Sequence, residues 1–315
     1  MSGERKAPSE FELIRQAFVE NSPPISQRTT IANGDDASVH GIDPGMELVV
    51  SVDTSIAGVH WPQDMPLHTA AERAVCAALS DLAAMGAEAL WVWVAAMATS
   101  ADATVEMGKG VNAALSRFGV ELAGGDTTHS PVNALSITVA GQLPQGSAMR
   151  RDRAQSGDLV WLVGKLGFSE VGLRKWINGK RESSFTAYFA EVSPKLEAGK
   201  RLRELGVRCC IDVSDGFLQD AGHICEASDI GMQIRLEDFP GWERLFDKLG
   251  NSMAIECALA GGEDYALLFT TGPDMKFLED FATCIGICTE EPGISVQLQG
   301  ESIELPSVSG YDHFG

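Results

Sequence analysis

At 315 residues the chain is long enough for about two domains and can bury a core without disulfides or a structural metal. Its 44% hydrophobic and 22% charged residues are an ordinary globular composition, neither disordered nor membrane-spanning. The formal net charge of -20 excludes a nucleic-acid backbone binder, yet it admits a phosphorylated small ligand held through divalent cations.

Seven cysteines (Cys76, Cys209, Cys210, Cys225, Cys257, Cys284 and Cys288) contain no CxxC pair and lie mostly in apolar or helical runs. They read as buried free thiols of a reducing compartment, not as a disulfide scaffold or a zinc site. The opening MSGERKAPSE has no apolar core of a signal peptide. The longest strongly apolar run, Ala89 to Ala98, is far too short to span a bilayer. A cytoplasmic protein without a membrane partner is expected.

In chain order, Ser9 to Glu12 is a capping box that opens a helix to about Glu20. Glu47 to Val52 reads as a strand that ends at Asp53. Thr69 to Glu72 repeats the capping pattern before a long helix, Ala70 to Met85, stopped by Gly86. Leu90 to Met97 is an apolar strand with cover on both faces. Asp102 to Phe118 is a helix stopped by Gly119. Val120 to Ala123 is a short strand that ends in Gly124-Gly125-Asp126, and Asn133 to Leu143 is another strand. The polar stretch 144–157 marks a boundary near residue 148, dividing an N-terminal α/β domain, 1–148, from a C-terminal one, 149–315. The second half continues with strand Asp158–Val163, a Gly164-Lys165-Leu166-Gly167 turn and a helix. A helix from Pro194, strand Val207–Val213, helix Gly216–Ala227, strand Tyr265–Phe269 and helix Asp274–Phe281 follow, with short strands beyond Pro292.

The chemistry lies in how the acidic residues are set. Asp36 follows Asn33-Gly34-Asp35, and Asp53 and Asp126 follow strands. Asp81 lies in an apolar helix, where an unpaired carboxylate would be expensive. Asp212 and Asp215 close Ile-Asp-Val-Ser-Asp-Gly before a helix. Together these six are short oxygen ligands suited to Mg²⁺ and, through it, to a nucleotide's phosphates. Taken alone, Asp35 and Asp220 read as turn or capping residues. There is no GxxxxGK[ST], no GxGxxG, no protein-kinase signature and no HExxH. Gly164 to Gly167 could equally cradle a phosphate or merely turn the chain. Arg150, Arg151, Arg153 and Lys165 are the cations nearest the boundary, and His60 follows Asp53 closely enough to meet a substrate.

Taken in order, Asn33-Gly-Asp-Asp-Ala37, Ser51-Val-Asp-Thr54, Gly58-Val-His60, Leu79-Ser-Asp-Leu-Ala-Ala-Met-Gly-Ala87 and Ala123-Gly-Gly-Asp-Thr-Thr128 resemble the thiamine-monophosphate kinases. So do Cys210-Ile-Asp-Val-Ser-Asp-Gly216, Gly261-Gly-Glu-Asp-Tyr265 and the terminal Gly310-Tyr-Asp-His-Phe314. That family belongs to the superfamily of aminoimidazole ribonucleotide synthetase. The resemblance implies a two-domain α/β fold of mixed sheets and a homodimer whose N-terminal sheets pair. It also implies ATP with several Mg²⁺ ions, and phosphorylation of thiamine monophosphate to thiamine diphosphate. Carried over by position, it implies metal ligation by Asp36, Ser51, Val52, Asp53, Asp81, Asp126, Asp212 and Asp215. ATP contacts fall to Gly125, Asp126, Arg151 and Ser214, and contacts to thiamine monophosphate to His60, Glu263 and Tyr311. No general base is implied.

The departures are local. Val52 stands where the family usually has threonine, so any metal contact there must come from its carbonyl. His129-Ser130 replaces a common Arg-Gly, and Asp152-Arg153 replaces a small neutral pair. Another ATP-using relative, such as aminoimidazole ribonucleotide synthetase, and a non-catalytic nucleotide-binding module are the alternatives. The intact acidic positions speak against the module.

Overall fold

The computed structural model describes residues 9–275, 278 and 280–311. The chain divides into two compact units, one formed by residues up to Ala78 with Ala89–Gln142, the other by Leu79–Glu88 and the chain from Leu143.

In the first unit, Ser9 caps helix α1 (Glu10–Ile14), with the Glu12 carboxylate returning to the Ser9 backbone, and a π-helical stretch continues to Val19. A two-stranded ribbon, β1 (Thr29–Ile31) and β2 (Val39–His40), precedes a four-stranded sheet. The sheet order is β3 (Met46–Ile56), β6 (Ala134–Pro144), β4 (Glu88–Ala98) and β5 (Glu121–His129). β4 and β5 are parallel, and α3 (Ala101–Phe118) is the crossover that such a pair requires. Ser100 caps that helix, and Gly119 ends it at φ 65°.

Helix α2 (Leu67–Met85) starts two residues before the predicted capping box, directly after Pro66, so Thr69 lies within its first turn. Two strands run further than their sequence suggests. β3 continues past Asp53 to Ile56, and β5 continues through both glycines and Asp126 to His129. Tertiary pairing accounts for β5: Gly125 lies against Val94 of β4, and a Cβ there would fall 2.0 Å from the Val94 carbonyl oxygen. Glycine normally weakens a strand. Here it alone permits the backbones to approach this closely.

The second unit holds a seven-stranded sheet in the order β13 (Glu301–Ser302), β12 (Gly293–Leu298), β9 (Gly231–Arg235), β11 (Thr283–Thr289), β7 (Leu159–Val163), β10 (Ala266–Thr271) and β8 (Cys209–Val213). Its neighbouring strands pair antiparallel, except that β12 runs parallel to β9. Strand β7 is apolar throughout and β10 through Phe269, because both faces are covered. Val160, Leu162, Ile211, Val213 and Leu268 join one core with Phe168, Phe217 and Ile224, while Trp161, Cys210, Leu267 and Phe269 join another with Ala83, Ala84 and Leu202.

The helices are α4 (Phe168–Ile177), α5 (Ser184–Ala190), α6 (Leu196–Glu204), α7 (Phe217–Ser228), α8 (Trp242–Leu249) and α9 (Asn251–Ala260). Strands β9 and β11 and helices α5, α8 and α9 have no counterpart in the sequence reading. The expected helix Asp274–Phe281 includes residues 276, 277 and 279, which lie outside the described residues, as do Asp312, His313 and Phe314.

All seven cysteines are unpaired and only Cys284 is not fully buried; burial pushes the Cys76 thiol up to about 12. No helix among the described residues is long and apolar enough to cross a membrane.

Candidate functional site

In the first unit, Asp36 lies exposed in the loop joining β1 to β2, its N–H donating to Asp35 Oδ1 at 2.9 Å. Both feet of the loop are tied to the sheet. Asn33 Nδ2 donates to the Leu122 carbonyl at 2.9 Å, and Trp93 Nε1 donates to Ser38 Oγ at 3.0 Å.

The ribbon is fastened by a buried polar network. The Thr29 hydroxyl donates to Glu121 Oε2 at 2.6 Å and accepts from Trp91 Nε1 at 3.1 Å. His40 Nδ1 lies 3.0 Å from the same hydroxyl, whose one proton is already given to Glu121, so Nδ1 carries its own proton. Burial lowers the His40 pKa against the opposing charge of Glu121, which keeps the ring neutral at ordinary pH. The network thus joins the stem of the Asp36 loop to the strand that carries Asp126.

On β3 the side chains alternate. Ser51 and Asp53 share a half-buried face, whereas Val52 points to the other face and is 61% exposed. The Val52 side chain therefore points away from its two polar neighbours. Beyond β3, the Ile56 N–H donates to His60 Nδ1 at 3.1 Å, leaving Nε2 as the protonated nitrogen of a neutral ring. Asp126 is exposed, and Oδ1 accepts from the Thr127 N–H at 2.8 Å. Asp126 and His129 line a cleft of about 480 Å³ with Leu13, Ser100 and Thr104.

In the second unit, Asp81 near the end of α2 and Asp212 on β8 form a coupled carboxylate pair. Asp212 is 5% exposed, and burial together with the charge of Asp81 pushes its carboxyl up to about 7, with Ser80 and Arg151 pulling the other way. Ser214 and Asp215 follow on the turn into α7, and Gln219 Nε2 donates to Asp215 Oδ2 at 3.1 Å. That turn collects the remaining candidates. The Glu263 N–H donates to the Ser214 carbonyl at 2.6 Å, and the Tyr311 N–H donates to the Asp215 carbonyl at 3.0 Å. Glu263 has φ 69° and Tyr265 φ 49°, a left-handed conformation that non-glycine residues rarely adopt. The Tyr265 hydroxyl donates to Glu263 Oε2 at 3.1 Å.

Arg151 opens a single 3-10 turn, Arg151–Arg153. Its unusual neighbour Asp152 is engaged elsewhere: Arg150 grips both carboxylate oxygens, at 2.8 and 2.5 Å. Gly164 to Gly167 is a turn and not a cradle. The N–H groups of Gly167 and Ser169 at the start of α4 already donate to the buried Asp264 carboxylate, which burial pushes up to about 7.

The sequence reading missed Thr29, His40 and Glu121, gave Asp264 no role beyond its place in Gly261-Gly-Glu-Asp-Tyr265, and saw Asp220 only as a cap. A carboxylate one turn into a helix, as in Ser214-Asp-Gly-Phe-Leu-Gln-Asp220, was the available signal.

No three His, Cys, Asp or Glu side chains among the described residues are grouped so as to hold a metal ion by themselves. The donors are nonetheless carboxylate, hydroxyl and carbonyl oxygens, the set that a hard divalent cation takes, with water and substrate phosphates completing its shell.

Residues 34–143 match the family described as AIR synthase related protein, N-terminal domain. The thiamine-monophosphate kinase of Escherichia coli strain K12 is 34% identical over 322 residues, covering 97% of this chain and 98% of its own. The crystal structure of the thiamine-monophosphate kinase from Stenotrophomonas maltophilia K279a superposes with a TM-score of 0.79 at 34% identity, covering 88% of this chain and 93% of its own. A structure described as AaThiL complexed with AMPPCP and TMP gives 0.76 at 25% identity, over 87% and 89%. With relatives this similar over nearly its whole length, and with the acidic positions in place, the chain belongs to the thiamine-monophosphate kinase family.

Proposed function

We propose that the chain transfers the γ-phosphoryl group of ATP to the phosphate of thiamine monophosphate, giving thiamine diphosphate and ADP by one in-line displacement. The observation that carries this reading is near-full-length similarity to thiamine-monophosphate kinases, joined to two neighbouring carboxylates, the half-buried Asp81 and the buried Asp212. The acceptor is a phosphate monoester with a second pKa of about 6, so it is already largely ionised at neutral pH. It needs no general base, unlike a hydroxyl acceptor.

Asp36, Ser51, Asp53, Asp81, Asp126, Asp212 and Asp215, with the Val52 carbonyl, would hold Mg²⁺. Bound there, the ions supply charge neutralisation between the two phosphates. Gly125, Asp126, Arg151 and Ser214 hold ATP. Arg151 offers a bidentate fork to phosphate, and its neighbour Asp152 does not compete, being paired with Arg150. His60 offers Nε2–H to the acceptor phosphate. Glu263 and Tyr311 meet thiamine monophosphate, the Glu263 carboxylate complementing its thiazolium cation.

A homodimer in the cytoplasm completes the reading. β3 is a sheet edge, and its outer face exposes Leu48, Val50 and Val52, the kind of apolar strip a second copy covers.

The test is to incubate the protein with Mg-ATP and either thiamine or thiamine monophosphate and to separate the products. Thiamine diphosphate formed only from the monophosphate is expected. Turnover of formylglycinamidine ribonucleotide in its place would overturn the assignment.

A further inference from the structure

Asp220 lies in the first turn of α7, is 3% exposed, and directs a single oxygen at the turn that precedes the helix. Its Oδ2 accepts the N–H groups of Ser214, Asp215 and Gly216 at 3.1, 3.1 and 3.2 Å. Successive amides converging at a helix N-terminus form a nest of the kind that binds phosphate. In this chain the nest is filled from within. The opposite side of the same turn is also occupied, because the Ser214 carbonyl accepts from Glu263 and the Asp215 carbonyl from Tyr311.

We infer that Asp220 is the positioning residue of this site: by plugging the amide nest it fixes the 214–216 turn, which in turn seats Glu263 and Tyr311, and it leaves Ser214 only its hydroxyl with which to meet ATP. The inference rests on the reading of Ser214, Glu263 and Tyr311 as ligand contacts. Phosphate oxygens only accept hydrogen bonds, and Ser214 has two donors, N–H and O–H. The N–H is committed to Asp220. Asp212 and Asp215 add negative charge nearby, and the converging amides work against it, which makes a carboxylate tolerable at this depth.

Three measurements on the full chain test this. In the ligand-free protein the amides of 214–216 should exchange slowly, because their acceptor is internal. Asp220→Asn, which can still present an oxygen, should keep both KM values within about threefold of the parent, while Asp220→Leu should raise the ATP KM about tenfold or more, the scale of losing a committed hydrogen-bond acceptor. Ser214→Ala should raise the ATP KM several-fold and leave that for thiamine monophosphate unchanged.

Fast exchange at 214–216 without ligand, a folded Asp220→Leu with parental KM values, or a Ser214→Ala with parental ATP KM would each overturn the inference. So would Asp220→Asn as impaired as Asp220→Leu, which would point to charge and not to acceptance. If Asp220→Leu does not fold, exchange and Ser214→Ala still decide. A parent protein without kinase activity would refute the functional reading and leave the exchange measurement to judge Asp220.

Discussion

Replacing Asp212 with asparagine should stabilise the metal-free protein while abolishing its response to Mg²⁺ and nucleotide. Burial and the neighbouring Asp81 hold the Asp212 carboxyl at about 7 in the folded chain, against 3.8 for an unperturbed group. Between those values the folded state keeps a proton that the unfolded state has lost, so this residue's contribution to stability falls as pH rises and levels off above about 7. A displacement of about three units corresponds to a ceiling of about 4 kcal/mol. Part of that is returned when the new amide must find partners, leaving an expected gain of roughly 2 kcal/mol.

The assay is urea unfolding of the parent and of Asp212→Asn in excess chelator, at pH 4.5 and pH 8. Asp220 and Asp264 are also raised to about 7 and slope the same way, so only the difference between the two proteins isolates Asp212. The difference between the two proteins should move by about 3 kcal/mol from pH 4.5 to pH 8, from a variant slightly less stable than the parent to one that is more stable. An Asp212→Asn no more stable than the parent at pH 8, or a difference that does not change with pH, would refute the electrostatic account of the pair.

Mg²⁺ together with a non-hydrolysable ATP analogue should raise the melting temperature by more than the two separate shifts combined, by linkage; an equal shift from the nucleotide in excess chelator would contradict cation-mediated binding. Asp81→Asn should fold and lose about 10²-fold or more in kcat, the scale of a lost preorganised electrostatic contact, as steady-state kinetics at saturating Mg-ATP will show. Thr29→Val takes its hydroxyl from Oε2 of the buried Glu121 and from the half-buried His40. It should cost about 1–3 kcal/mol in urea unfolding and raise the Mg²⁺ concentration for half-maximal nucleotide binding by loosening the Asp36 loop. Val50→Lys on the exposed face of β3 should shift sedimentation from dimer to monomer without unfolding the chain.

Much of this protein follows from local chemistry. The capping box at Ser9, the stop at Gly119 and the apolar runs that become β4, β7, β8 and β10 are set by short-range propensity and periodicity, which the sequence carries in full. The acidic positions are visible in the sequence, most of them at the margins of apolar runs beside glycine, and their use as cation ligands is what we propose for them. What tertiary structure alone decided concerns pairing. β3 and β5 run past their apolar stretches because neighbouring strands supply hydrogen-bond partners that the sequence does not display. Strands β9 and β11 escaped notice for the same reason.

The partners that hold the acidic residues were likewise invisible along the chain. Asp220 and Asp264 resemble Asp212 and Asp215 in sequence setting, yet each is committed to backbone N–H groups of a neighbouring turn. Thr29 and Glu121 stand 92 positions apart and meet only because the ribbon folds onto β5. A residue's type and local run determine what it can do. Whether a carboxylate binds a cation or props up a loop depends on which donors surround it, and those donors arrive from distant parts of the chain.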